Sequence, residues 1–233
     1  MTAKKYKYLF FDLDRTLWDF EKNSVLTLKE IYEEARIGDM AIIDFADFHT
    51  FYVDYNHHLW DLYKDGKIEK DYLSVQRFRG SLQHFKIDDE DLAIKMAKDY
   101  VRISPTKTAL FPNAILVLKN LSKRYSMHII TNGFNEVQFV KLDNSGLTPY
   151  FEQIITSEMV GVQKPHRDVF DFAMKQAGAS AEESLMIGDD QVSDIQGARN
   201  AHIDQVFVDF HHEDLRFAPT FHIHSLSELL NFL

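Results

Sequence analysis

Tyr8-Leu9-Phe10-Phe11-Asp12-Leu13-Asp14-Arg15-Thr16 is the stretch on which the fold turns. Four apolar or aromatic residues run without alternation and stop at an acidic turn. A short continuous run of this kind predicts a strand buried on both faces, as in a parallel sheet. Four later runs read the same way: Met127-His128-Ile129-Ile130, Gln153-Ile154-Ile155-Thr156, Leu185-Met186-Ile187 and Val206-Phe207-Val208. Helical patterns alternate with them. One opens at Pro112-Asn113, with Ala114, Leu116, Val117 and Leu121 on a face, and another runs from Asn135 to near Ser145-Gly146. A third takes Pro165 as its first helical position and Gly178 as its stop, and Ser193 is placed to cap a fourth. Strand alternating with helix at this spacing predicts an α/β fold, a doubly wound, Rossmann-like parallel sheet.

Between Phe20 and Ser104 the pattern changes. Val25, Leu28, Tyr32 and Ala35 recur at helical spacing, as do Phe45, Phe48, Tyr52, Tyr55, Leu59 and Leu62. Leu92, Met96, Tyr100 and Ile103 make a further stripe, with Asp88 as its expected N-cap. No strand-like run interrupts them, and Asp65-Gly66 and Ser104-Pro105 read as turn and boundary. Residues 20–104 are therefore expected to be an all-helical insert, and 1–19 with 105–233 the sheet core.

The 233 residues leave room for one large domain or one domain carrying an insert, and are enough to bury a real core. Hydrophobic residues make up 45% and charged residues 27%, an ordinary globular balance. Against 26 Lys and Arg stand 36 Asp and Glu, for a net charge of −10. A chain this acidic repels a polyanion, which counts against a nucleic-acid groove but leaves room for a small anion held locally. With Cys 0, disulfides, thiolate nucleophiles and Cys-ligated zinc are excluded. No apolar run approaches the ~18 residues of a membrane span. No signal-peptide pattern is present either, so no membrane partner and a cytoplasmic location are expected.

In an open parallel sheet, ligands sit at the carboxyl ends of the strands. After the first strand stand Asp12, Asp14 and Thr16; after the second, Thr131-Asn132-Gly133. Lys164-Pro165 follows the third across a loop, and Gly188-Asp189-Asp190 with Ser193-Asp194 follows the fourth. Each piece alone is an ordinary turn, cap or surface loop. A calcium loop at Asp12 fails, because its sixth and twelfth positions are Leu17 and Asn23 in place of glycine and glutamate. Together the pieces say more. Several carboxylates at one sheet edge repel unless a cation offsets them, and oxygen-only ligation suits magnesium. A lysine and a hydroxyl set opposite match the charge and acceptor oxygens of a phosphoryl group.

In motif order the chain resembles the haloacid dehalogenase superfamily. The correspondence runs through Asp12-Leu13-Asp14-Arg15-Thr16, Thr131, Lys164, and Gly188-Asp189 with Asp194. The insert after the first motif looks like that superfamily's mobile helical cap. Passages between Ile130 and Ile195, among them Ile130-Thr131-Asn132-Gly133-Phe134, Ser145-Gly146-Leu147, Val160-Gly161-Val162 and Ser193-Asp194-Ile195, look like the bacterial pyrimidine 5′-nucleotidases. Arg15 departs from the small or acidic residue expected there and sets a positive charge beside the first motif.

The resemblance implies a phosphomonoester hydrolase acting on a small molecule. Asp12 would be the nucleophile, forming an aspartyl-phosphate, and Asp14 the general acid and base. Mg2+ would be held by the Asp12 carboxylate, the Asp14 main-chain carbonyl and the Asp189 carboxylate. Thr131, Asn132 and Lys164 would hold the substrate, with Asp190 and Asp194 in support, Asp194 orienting Lys164 or a metal-bound water. Other phosphatase substrates (phosphoglycolate, sugar phosphates) and a phosphomutase stay open. A dehalogenase needs neither metal nor Asp14, a phosphonate hydrolase needs a Schiff-base lysine in the cap, and a non-catalytic relative would be expected to lose Asp12 or Lys164. A signalling receiver carries its phosphoacceptor on a later strand. Trp18, Phe20 and Phe134 lie near the motifs and read as packing first, base stacking second. His57-His58, His211-His212 and His222-x-His224 read as surface residues, the last pair having no acidic cluster near it in sequence.

Overall fold

The computed structural model of the protein describes residues 5–233. Within them β1 (Tyr8–Phe11), β2 (Ser126–Thr131), β3 (Gln153–Thr156), β4 (Ser184–Gly188), β5 (Asp204–Val208) and β6 (Phe221–Ile223) form one sheet. The order is β3-β2-β1-β4-β5-β6, and every pairing is parallel. The run at β1 lacks alternation because both faces are covered: Leu9 and Phe11 enter one core and Phe10 the other, all fully buried. The short edge strand β6 is an addition to the five expected. Phe221-His222-Ile223 is too brief to leave an apolar run, and of its three residues only Ile223 is buried.

The chain packs as two units: one runs through Phe20 and resumes at Thr108–Leu233, the other is Glu21–Lys107. The second unit is helical, with α1 (Phe20–Glu34) leading in, then α2 (Ile37–Ala41), α3 (Phe45–Lys64), α4 (Lys70–His84) and α5 (Glu90–Ile103). Its own core gathers Leu28 and Ile31 of α1, Phe48 and Tyr52 of α3, Phe78 and Leu82 of α4, and Met96 and Tyr100 of α5. Each such side chain contributes roughly 1.5–3 kcal/mol by leaving water. Asp89, not Asp88, caps α5: its Oδ1 accepts the Leu92 N–H at 2.9 Å, the three-residue reach a cap requires.

In the sheet unit, α6 (Ala114–Leu121) and α7 (Asn135–Asn144) cover one face. The other is covered by α9 (Arg167–Ala177) and α10 (Gly197–Asn200), with α8 (Ser157–Val160) a single turn between β3 and α9. Two expected caps move. Pro165 lies before α9, whose cap is His166, and Gly178 ends the helix in the left-handed region at φ 64°. Ser193 is capped instead of capping, because the Asp190 Oδ1 accepts both the Val192 and Ser193 N–H groups. Among the described residues no helix is long and apolar enough to cross a membrane.

Candidate active site

The chain steps from β1 to β2 and β3 on one side, then crosses to β4, β5 and β6 on the other, which opens a crevice at the carboxyl end of β1. Asp12 stands there, its N–H donating to the Ile187 carbonyl at 2.9 Å and extending the β1–β4 pairing by one residue. Across from it, Lys164 is 2% exposed. Its three N–H donors are all used, on Asp12 Oδ1 at 2.7 Å, Asp194 Oδ1 at 2.6 Å and the Ile130 carbonyl at 2.8 Å. Asn132 fixes the lysine's backbone: its Oδ1 accepts the Lys164 N–H at 2.8 Å and its Nδ2 donates to the Lys164 carbonyl at 3.0 Å.

Asp189, just past β4, accepts from the Thr16 hydroxyl at 2.8 Å, and Thr16 lies 3.3 Å from Asp12 Oδ2. Asp194 reaches back over the end of β4, where its Oδ2 accepts the Asp190 N–H at 3.1 Å. Gly188 permits this. A Cβ there would sit 2.4 Å from the Asp194 carboxyl carbon, so any side chain would evict the aspartate. Asp190 is spent on capping the turn that carries Asp194.

Carboxylate oxygens of Asp12, Asp189 and Asp194 lie within 4.8 Å of one another. Burial pushes Asp12 up to about 7, against the pull of Lys164 and with the push of the Asp194 charge. Burial, then the charges of Asp12 and Asp194, hold Asp189 well above the carboxylate range, and Asp194 is raised too, chiefly by burial. Burial alone would lower Lys164, but Asp12 and Asp194 outweigh it and raise it. Two buried carboxylates share the Lys164 ammonium and a half-buried third, Asp189, stands beside them, so with all three ionised the cluster would carry an excess of two negative charges. An all-oxygen donor set short of two positive charges fits a hard dication such as magnesium.

The Asp14 carboxylate, in the loop after β1, is held by two side chains of α7. Lys141 Nζ donates to its Oδ1 at 2.5 Å and Gln138 Nε2 to its Oδ2 at 2.7 Å. The same Gln138 nitrogen lies 2.7 Å from Thr131 Oγ1, which also accepts the Gly133 N–H at 3.1 Å. The Lys141 ammonium sits 4.0 Å over the Trp18 ring, a cation–π contact that holds it in place. Gln138 and Lys141 escaped the sequence reading. The signal available was their place: with Leu142 they form the buried stripe of α7, where two polar side chains need a polar purpose.

Of the aromatic residues near the motifs, Trp18 is fully buried and Phe134 is 6% exposed, so both pack and neither faces solvent. Arg15 adopts φ 69° and turns its guanidinium over the Phe20 ring at 5.0 Å.

The haloacid dehalogenase-like hydrolase family matches residues 9–208, and this chain belongs to it. The chain is similar over almost its whole length to two pyrimidine 5′-nucleotidases. PynA of Streptococcus pneumoniae is 33% identical over 98% of this chain and 95% of its own. YjjG of Escherichia coli is 32% identical over 97% of this chain and 96% of its own. Among solved structures, the Bacillus subtilis protein YfnB, crystallised with magnesium, superposes with a TM-score of 0.88 at 30% identity, covering 98% of both chains.

Proposed function

We propose that this hydrolase is a magnesium-dependent phosphomonoesterase that works through an aspartyl-phosphate on Asp12 and takes pyrimidine nucleoside 5′-monophosphates. The observation that carries the reading is the division of labour between two aspartates one residue apart. Asp12 lies in an oxygen-only acidic cluster with Lys164, and Asp14 is held separately by Lys141 and Gln138. Nucleophile and proton carrier need just such different surroundings.

Asp12, Asp189 and the main-chain carbonyl of Asp14 would hold the magnesium ion, with Asp194 beside them. When bound, the ion offsets the repulsion between Asp12 and a phosphate dianion. Asp12 attacks phosphorus while the bond to the leaving oxygen breaks, and Asp14 delivers a proton to that oxygen. Lys141 and Gln138 orient Asp14 and offset the charge it gains. Water then attacks phosphorus, Asp14 takes its proton, and the Asp12–phosphorus bond breaks to free inorganic phosphate. Thr131 accepts two N–H groups at its oxygen, which leaves its own proton for a phosphoryl oxygen. As Asp12 gives up its charge to phosphorus, Lys164 would turn the N–H it donates to Asp12 onto a second phosphoryl oxygen, while Asn132 and Asp194 keep it in place.

The substrate class rests on the full-length likeness to PynA and YjjG. A cysteine-free chain acting on nucleotides fits the cytoplasm. The alternative of a 2-haloacid dehalogenase leaves Asp14 and its two supports without a task. Inorganic phosphate release is the test, from nucleoside monophosphates, sugar phosphates and phosphoglycolate, with magnesium and with chelator. Pyrimidine monophosphates are expected to give the highest kcat/KM. Higher values on sugar phosphates or phosphoglycolate would remove the nucleotidase reading, and undiminished turnover in chelator would remove the metal.

A further inference from the structure

Away from the acidic crevice, imidazoles gather on a second buried carboxylate. Asp209 directly follows β5 and is 3% exposed. Sequence spacing leaves His222-x-His224 without an acidic neighbour, but the parallel β5–β6 pairing supplies one. The Asp209 N–H donates to the Ile223 carbonyl at 2.8 Å, which sets the carboxylate between the two histidines. These lie two residues apart on and just past β6, so they project from one face of the strand. Asp209 Oδ2 is 2.9 Å from His222 Nε2 and 3.7 Å from His224 Nδ1, and the three ligand atoms lie within 4.8 Å of one another. His212, in the left-handed region at φ 59°, brings its ring to 4.3 Å from that of His224.

We propose that Asp209, His222 and His224 bind a divalent transition metal of the zinc class, at a site separate from the magnesium crevice. Two imidazole nitrogens and one carboxylate oxygen form a donor set for a borderline ion, unlike the oxygen-only crevice. With metal–ligand bonds of about 2.0–2.1 Å, a tetrahedral site has ligand–ligand edges of roughly 3.3–3.4 Å. The two carboxylate–imidazole separations of 2.9 and 3.7 Å bracket that value, and the imidazole nitrogens lie within 4.8 Å of each other. Among the described residues the ion-pair partners of Asp209 are these two histidines. Binding would displace the proton that His224 Nδ1 gives the Asp209 carbonyl at 2.9 Å and the one that His222 Nε2 gives the carboxylate, each ring then carrying its proton on its other nitrogen, and water or His212 takes the fourth position.

The frame is already built. The Asp209 Oδ1 accepts the Glu213 N–H at 2.9 Å, and Phe210 stacks on Phe111 with centroids 4.0 Å apart. Farther along the loop, Gln191 donates to the Asp214 carbonyl at 3.0 Å and accepts the Arg216 N–H at 2.7 Å. The His222 ring lies on Phe207 at 5.3 Å. A bound ion would fasten the edge strand to the 209–216 loop, whose far end is tied to the residue after Asp190.

The test is a Co2+ titration of tag-free, chelator-stripped protein in excess magnesium, followed by visible absorption and by Zn2+ competition. The wild type should take up one equivalent with tetrahedral d–d bands, displaced by zinc. His222→Ala and His224→Ala should each weaken uptake on the order of 10–100-fold or more, with Asp189→Asn unchanged. Zinc should also raise the Tm of the wild type by mass action and leave that of His224→Ala where it is. His224 is solvent-exposed, so its replacement spares the core. Absence of stoichiometric uptake, uptake that survives both histidine variants, or uptake lost with Asp189→Asn would overturn the proposal.

Discussion

Lys141 Nζ donates to Asp14 Oδ1 at 2.5 Å from a side chain that is 5% exposed and lies against Trp18. A buried ammonium on the proposed proton carrier ties leaving-group departure to a residue on α7. Lys141→Met keeps the length and removes the charge. Turnover of a nucleotide should fall about 10²-fold, the scale of a misplaced catalytic group. The loss on p-nitrophenyl phosphate should be smaller, since that leaving group needs no proton. Equal losses on both substrates would show that Lys141 supports the fold and not Asp14.

Asp12→Asn should abolish the burst of leaving group. Asp14→Asn keeps the nucleophile and should slow the burst by about 10²–10⁴-fold on a nucleotide, the usual worth of general acid catalysis. Its penalty on p-nitrophenyl phosphate should be least. Burst rates separate the first chemical step from the hydrolysis that follows, in which Asp14 also acts.

Asp189→Asn should weaken activation by magnesium while the thermal melt stays near that of the wild type. Asp189 sits on a loop and its removal relieves repulsion with Asp12 and Asp194. Magnesium titration of activity, beside a melt, reads both. An unchanged magnesium requirement would take Asp189 out of the metal site.

His128 gives a pH signature. It is 1% exposed in β2 and stacks on Phe10 at 5.2 Å, and burial holds it below its ordinary 6.5 despite the opposing pull of Glu152. The unfolded chain therefore takes up this proton at a higher pH than the folded one does. The contribution to stability is whole above 6.5 and is lost as pH falls through the folded value. The slope is at most ~1.4 kcal/mol per pH unit. Urea unfolding between about pH 7 and pH 5 should show a shallower pH dependence in His128→Phe than in the wild type. Identical slopes would assign the acid lability to other groups.

The strand ends were legible because an apolar run that stops at a charged or hydroxyl-bearing residue marks both the strand and its functional end. Asp12, Thr131 and Asp189 each follow that rule, and the parallel order then brings them to one edge. Lys164 was legible only as a motif, since a loop separates it from β3. Gln138 and Lys141 were not, because polar residues on a short helix read as its solvent face until burial is known. Asp209 and His222 lie 13 residues apart and meet only through the pairing of an edge strand too short to read.

The nucleophilic role of Asp12 is tested most directly by rapid acid quench during turnover of a pyrimidine nucleoside monophosphate carrying a radioactive phosphate, with the label mapped by peptide. The account predicts acid-stable label on the peptide containing Asp12, absent in Asp12→Asn and absent in chelator. Normal turnover with no label on that peptide, or turnover retained by Asp12→Asn, would contradict it.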